Sequence, residues 1–127
     1  MKSLGHGKLT KSYAEDCRAV REILNLVGDK WSVMVIVNLA EGTRRFSDLK
    51  RGIEGISQRM LTLTLRGLER DGLVTRTIHP TIPPRVDYAL TKLGHTLIEP
   101  VTVLATWAWH HRPEIEKARA RYGARST

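Results

Sequence analysis

The hydrophobic period of this chain breaks at Gly72, and that break limits the folds open to it. Before it, apolar residues recur at helical spacing. Val20, Ile23, Leu24 and Val27 stand at i, i+3, i+4 and i+7, and Leu61, Leu65 and Leu68 form a second stripe. From Val74 the period is two. Val74, Arg76 and Ile78 alternate with Thr75, Thr77 and His79, "PTIPPR" interrupts, and Val86, Tyr88 and Leu90 alternate with Asp87 and Ala89. That is a two-stranded hairpin with a proline-stiffened loop. Helical spacing returns after Thr91, with Leu97, Val101, Leu104 and Ala108 in one stripe and Ile98, Ala105 and Trp109 beside it. The expected fold is mainly α with one small β-wing.

Punctuation marks the helices. The first pattern runs from Tyr13 to a stop at Gly28. Asp29 then reads as the N-cap of a helix that stops by Gly42, and Trp31, Val33 to Val37, Leu39 and Ala40 leave it almost no polar face. Ser47 is expected to cap a short helix through Ile53, with Phe46 packing back on the core. Glu54 and Gly55 make a turn, and Ser57 caps a helix that spans about 57–71 and ends at Gly72. Two short helices joined by a tight turn, the second with Arg59, Leu63, Arg66 and Arg70 outward, are helix-turn-helix organisation. Pro100 is expected to kink the last helix.

Residues 1–12 read as a loose polar arm, 13–112 as a winged helix-turn-helix domain with its dimerisation helices, and 113–127 as a charged helix or tail. A hydrophobic share of 41% and a charged share of 27% are those of a globular protein, but a net charge of +8 favours a polyanionic partner. Residues 44 to 85 hold nine basic and four acidic side chains. No stretch approaches the roughly 20 apolar residues of a membrane span, and the first residues lack the apolar segment of a signal peptide. A single cysteine permits no intrachain disulfide and fits a reducing cytoplasm.

The segments "GDKWS", "RRFSDLKRGIEGISQRML", "LERDGLV" and "PPRVDYALTKLG", in this order and spacing, resemble the HxlR-type family of bacterial winged-helix transcription regulators, near the wider MarR-like group. The resemblance covers roughly residues 17 to 111. It implies a dimeric repressor or activator that binds an operator with its second helix and wing. Three positions depart from the usual pattern. Arg18 follows the cysteine where many relatives have proline, Leu63 and Thr64 replace long polar side chains, and Gly67 sits inside a helix at a cost of about 1 kcal/mol.

For DNA contact the candidates are Arg45, Ser47, Ser57, Gln58, Arg59, Thr62, Leu63, Arg66 and Arg85. Ser57 at a helix start suits a phosphate oxygen. Gln58, Arg59 and Thr62 lie in the turns that reach base edges. Arginine can bond guanine O6 and N7 together. Leu63 could meet a thymine methyl, or else be covered by the wing or a neighbouring subunit. Arg45 and Arg85 flank the helix pair and the wing tip. All of these charges could instead form a solvated surface.

Val101, Leu104, Ala105, Trp107 and Ala108 are the candidate dimer interface, packed on the first helix and a twin subunit. A membrane-surface helix suits this segment less well, because Trp107 and Trp109 lie about 200° apart around the axis. Cys17 is open to two readings, a packing residue or a redox sensor. Some relatives sense oxidants or electrophiles with a cysteine at this position, and a helix start and Arg21 would both favour its thiolate. The histidines are scattered, with no zinc pattern, and no nucleotide loop or catalytic motif appears. No cofactor and no enzyme activity are expected. The remaining alternatives are a non-specific architectural nucleic-acid binder and a winged helix that binds only protein.

Overall fold

A computed structural model describes residues 11–126, with side chains for 14–125. Most of the expected N-terminal arm lies outside the described residues, while Lys11 and Ser12 already belong to the first helix. The elements are α1 (Lys11–Val27), α2 (Lys30–Leu39), β1 (Arg44–Arg45), α3 (Phe46–Gly52), α4 (Gln58–Arg70), β2 (Val74–His79), β3 (Arg85–Leu90), α5 (Lys92–His95) and α6 (Ile98–Ser126). The order is that of a mainly helical protein with a small sheet, the winged helix-turn-helix arrangement.

Two of the expected caps form as read. Asp29 accepts hydrogen bonds from the amides of Trp31 and Ser32, and Ser57 Oγ accepts from Met60 N at 3.0 Å. Each removes a donor that the first helical turn cannot satisfy within itself. Past α4, Gly72 takes φ +76, a conformation that glycine adopts at no steric cost, and Leu73 N returns to Leu68 O at 2.9 Å. Gly67 has a packing reason. A Cβ there would stand 3.0 Å from Leu26 Cδ1, so the glycine lets α1 lie close on α4.

The core is one cluster under the helix-turn-helix. Val35, Ile36 and Leu39 of α2, Leu49 of α3, Ile53 and Ile56 of the turn, and Leu61, Leu65 and Leu68 of α4 are buried. Leu73, Val74, Tyr88 and Leu90 close it from the hairpin side. The helix α2 is less enclosed than its sequence suggests. Met34 and Val37 stay partly open, and Val37 lines a shallow seam with Thr102, Ala105 and Trp109 of α6.

Three expectations about element boundaries are corrected. Ser47 does not cap α3. The N-cap is Arg45, which makes no side-chain cap bond, and Ser47 Oγ instead accepts from Arg45 Nε at 3.2 Å. Residues Arg44 and Arg45 are a third strand, pairing antiparallel with β3 so that the sheet order is β1-β3-β2. Pro100 does not kink a continuous last helix. Thr91 caps the short α5, the chain turns at Thr96 and Leu97, and Pro100 falls in the first turn of α6. A proline at 100 has no N–H to donate to the carbonyl of Thr96 and its ring crowds that group, which favours the break between α5 and α6 here. In its own first turn the missing N–H costs nothing.

The helix α6 spans 29 residues and continues through Pro113 to Ser126, so of the two readings of the last segment, charged helix or tail, its described part is helix. At 1.5 Å per residue it is about 44 Å long. Among the expected dimer-interface residues, Val101 is buried in the protomer's own core, while Leu104, Ala105, Trp107 and Ala108 are exposed. Val101 is therefore a core residue. The stripe divides because only the first turns of α6 lie on the core, Val101 N bonding back to Leu97 O beside α5. Val20, Ile23 and Leu24 of α1 are likewise about half exposed. Ile23 and Val27 border an open groove of about 760 Å³ whose far wall includes Leu73, Leu93 and Leu97.

Candidate nucleic-acid interface

The helix α4 sorts its side chains by period. Leu61, Thr64, Leu65 and Leu68 face inward. Gln58, Arg59, Thr62, Leu63 and Arg66 together line one open surface. Leu63 is 47% exposed among them, so the wing of its own chain does not cover it. Thr64, by contrast, is buried and its hydroxyl donates to Met60 O at 2.8 Å. Of the two departures from the family pattern at 63 and 64, only Leu63 therefore reaches the outward face. Thr62 is half-buried and its hydroxyl donates to Gln58 O at 2.9 Å. That bond leaves its methyl and its oxygen lone pairs for an outside partner.

The outward arginines are not equivalent. Arg70 is bonded to Asp71, Nε to Oδ1 at 3.0 Å, and that bond with the carboxylate charge raises the guanidinium pKa further. Among the described residues no carboxylate pairs with Arg59 or Arg66 within 4.0 Å. Their charge is the part of the helix face that an anion meets uncompensated. Ser57 has the reverse character. Its oxygen already holds Met60 N, so one of the amides expected to greet a phosphate is occupied.

The wing is tied to this helix. Arg76 on β2 meets Glu69 on α4, Nε to Oε2 at 3.5 Å. Tyr88 stands behind them against Phe46, ring centroids 6.4 Å apart. Burial pushes its phenol pKa up, with Arg76 and Arg66 pulling it down and Glu69 adding to the rise. Arg45, Ser47 and Arg85 come together around an open cleft of about 590 Å³ beneath the Thr81–Pro84 loop. The sequence reading named these three residues separately; β1 pairing with β3 is what joins them. It missed Arg76, His79 and Asp87. Strand alternation alone puts charges on a hairpin face, but only the register says which ones meet.

Cys17 is exposed and lies in the second turn of α1, because the helix begins at Lys11. The amide-rich end expected beside it is one turn away. The chain's own fold does not bury the thiol. Among the described residues no group of three His, Cys, Asp or Glu could hold a metal ion, and no helix is long and apolar enough to cross a membrane.

A winged helix whose second helix carries an exposed Gln, Thr and Arg face defines a helix-turn-helix transcription regulator. Residues 26–116 match the HxlR-like helix-turn-helix family, and the chain belongs to that family. It is 45% identical over 107 residues to the HTH-type transcriptional regulator YtfH of Escherichia coli (strain K12), covering 84% of each chain. The structure of YtfH from Salmonella typhimurium is similar with a TM-score of 0.75 at 40% identity, over 80% of this chain and 90% of that one. The redox regulator HypR in its reduced form is similar with a TM-score of 0.70 at 37% identity, over 78% and 98%. These relatives are regulators and not enzymes.

Proposed function

We propose that two copies of this chain bind a DNA operator, each with α4 in a major groove and its wing on the backbone or the adjacent minor groove. The observation that carries the reading is the sorting of α4, with the apolar stripe buried and Gln58, Arg59, Thr62, Leu63 and Arg66 left together in the open. Gln58, Arg59 and Thr62 take the base edges, and Leu63 a thymine methyl. Arg45, Ser47, Ser57, Arg66 and Arg85 hold the phosphates, which sets register without reading sequence. A non-specific architectural role, which holds the backbone and can wedge apolar side chains between bases, would enrich no preferred site.

Selection of bound duplexes from a random pool tests the reading, and enrichment of one two-fold-related site is expected. Arg59→Ala should then lose about 1–3 kcal/mol and relax preference at one base pair of each half-site. Arg85→Ala should weaken all sequences alike. Unchanged preference in Arg59→Ala would remove α4 from the groove.

The proposed dimer uses the exposed part of α6, Leu104, Ala105, Trp107 and Ala108, with the open α1 stripe. A two-fold pair would set the two α4 helices about 34 Å apart, one turn of the duplex. Leu104→Glu buries an unpaired charge in that seam, a cost of several kcal/mol. Light scattering should report monomers at micromolar concentration. A folded variant that stays fully dimeric would place the seam elsewhere.

Cys17 is proposed as the thiol that makes the regulator responsive to oxidants, on the strength of its exposure and of the likeness to a redox regulator. Two thiolates, one per protomer, would lose two electrons to the oxidant and form one disulfide, provided their Cα atoms come within about 4.4–6.8 Å. Cys17→Ser should bind operator normally and ignore diamide and hypochlorite. Wild-type protein indifferent to both would overturn this role.

A further inference from the structure

The outward side of the sheet carries a charge cluster in which the proposed contacts use Arg45 and Arg85 but leave His79 and Asp87 without a role. Arg45 of β1 lies opposite Asp87 of β3, Thr77 of β2 lies on the other side of Asp87, and His79 pairs with Arg85. Residues directly opposed in an antiparallel ladder share a face, as do positions two apart on one strand. Arg45, Arg85, His79 and Asp87 therefore share one side with Thr77. Arg44, Arg76 and Tyr88 share the other, where Glu69 of α4 pairs with Arg76. Asp87 uses both oxygens. Oδ2 meets His79 Nε2 at 2.9 Å, and Oδ1 meets Arg85 Nε at 3.3 Å. Its side chain is only 18% exposed.

An acid on a surface that meets a polyanion weakens the encounter unless cations surround it. Here they do, and one of them is conditional. A ring nitrogen facing a carboxylate oxygen is the donor, so neutral His79 carries its proton on Nε2 and takes a second on Nδ1. Arginine keeps its charge throughout, whereas histidine ordinarily titrates between pH 5 and 8. With the ring neutral, Arg45, Arg85 and Asp87 leave this face a single net positive charge. Protonation doubles it, and the ring, still held through Nε2, then offers Nδ1–H as a new donor.

We propose that His79 is a DNA-phosphate contact charged on demand, positioned by Asp87, so that duplex binding tightens when the ring takes up its second proton. This rests on the nucleic-acid reading above. The sign follows from linkage. If the protonated ring binds the duplex better, affinity rises with proton concentration, and the duplex must in turn raise the proton affinity of His79.

The test is duplex binding by the full chain at constant ionic strength, read by fluorescence anisotropy from pH 8 to pH 6. One added phosphate contact per wing is worth about three- to tenfold in affinity at about 0.1 M salt. The wild-type protein should tighten by that factor for each wing. His79→Gln keeps a donor for Asp87 but takes no proton, and should lose this ratio between the two pH values. NMR of the His79 imidazole in the wild-type protein gives a reading that needs no variant: its titration should move to higher pH when duplex is added. A flat wild-type profile, an undiminished pH response in His79→Gln, or a His79 midpoint unmoved by duplex overturns the proposal while leaving DNA binding intact. Absence of duplex binding at every pH overturns the nucleic-acid reading with it.

Discussion

Raising salt from 50 to 200 mM is expected to weaken duplex binding about 10³–10⁵-fold, if a dimer neutralises about 6–10 phosphates. The net charge of +8 makes a large salt slope plausible, but the free cations decide its size. Arg51 is paired with Asp48, Arg70 with Asp71 and Arg76 with Glu69. A guanidinium already held by a carboxylate releases fewer counterions from DNA than one that is not. Arg85 is held by Asp87, so of the proposed DNA contacts Arg59 and Arg66 on α4 and Arg45 at the start of α3 are the arginines outside such pairs, and two copies supply the lower end of the phosphate range. Fluorescence anisotropy across the salt range measures the slope. A flat response would remove the electrostatic premise and leave a protein-binding winged helix as the better reading.

Gly94→Ala is expected to be the most damaging of the glycine-to-alanine changes among the described residues. A Cβ at Gly94 would stand 2.1 Å from the carbonyl oxygen of Leu73 and 3.2 Å from Leu90 Cδ2. The carbonyl cannot step aside cheaply, because it accepts from Thr91 N at 3.0 Å. Thr91 Oγ1 in turn donates to Gly72 O at 2.6 Å and accepts from Gly94 N at 3.0 Å. Moving α5 away would break this knot, which joins the end of α4, the start of β2 and the end of β3. Overpacking of this kind costs about 1–3 kcal/mol and occasionally more. At this chain length each kcal/mol lowers Tm by roughly 4 °C. Gly67→Ala is the comparison, since it meets only the flexible end of Leu26 and gains helix propensity. Thermal melts of both variants decide. Gly94→Ala melting within a degree of the wild type would show that α5 can shift.

Much of this architecture is legible from consecutive residues. The stripes of α1 and α4, the caps at Asp29 and Ser57, and the alternation of β2 and β3 all arise from interactions within a few positions along the chain. The candidate reading residues were legible for the same reason. Once Leu61, Leu65 and Leu68 are inward, Arg59, Leu63 and Arg66 have only the outer side left. The family pattern added the wing's place beside that helix.

Other features depend on what lies across the fold. The two residues of β1 have no period to detect, and they are a strand only because Tyr88 and Asp87 stand opposite them. Val101 and Leu104 share one stripe and are both aliphatic, yet the first is buried and the second exposed, because the core ends between them. The pairing of His79 and Asp87 needs the hairpin register, which one slipped residue would abolish. Local hydrogen bonding and side-chain period determine the elements, since both act within a turn or a strand. Which part of an apolar stripe is covered, and which charges meet, is decided by where neighbouring elements end, and residues distant in sequence carry that information.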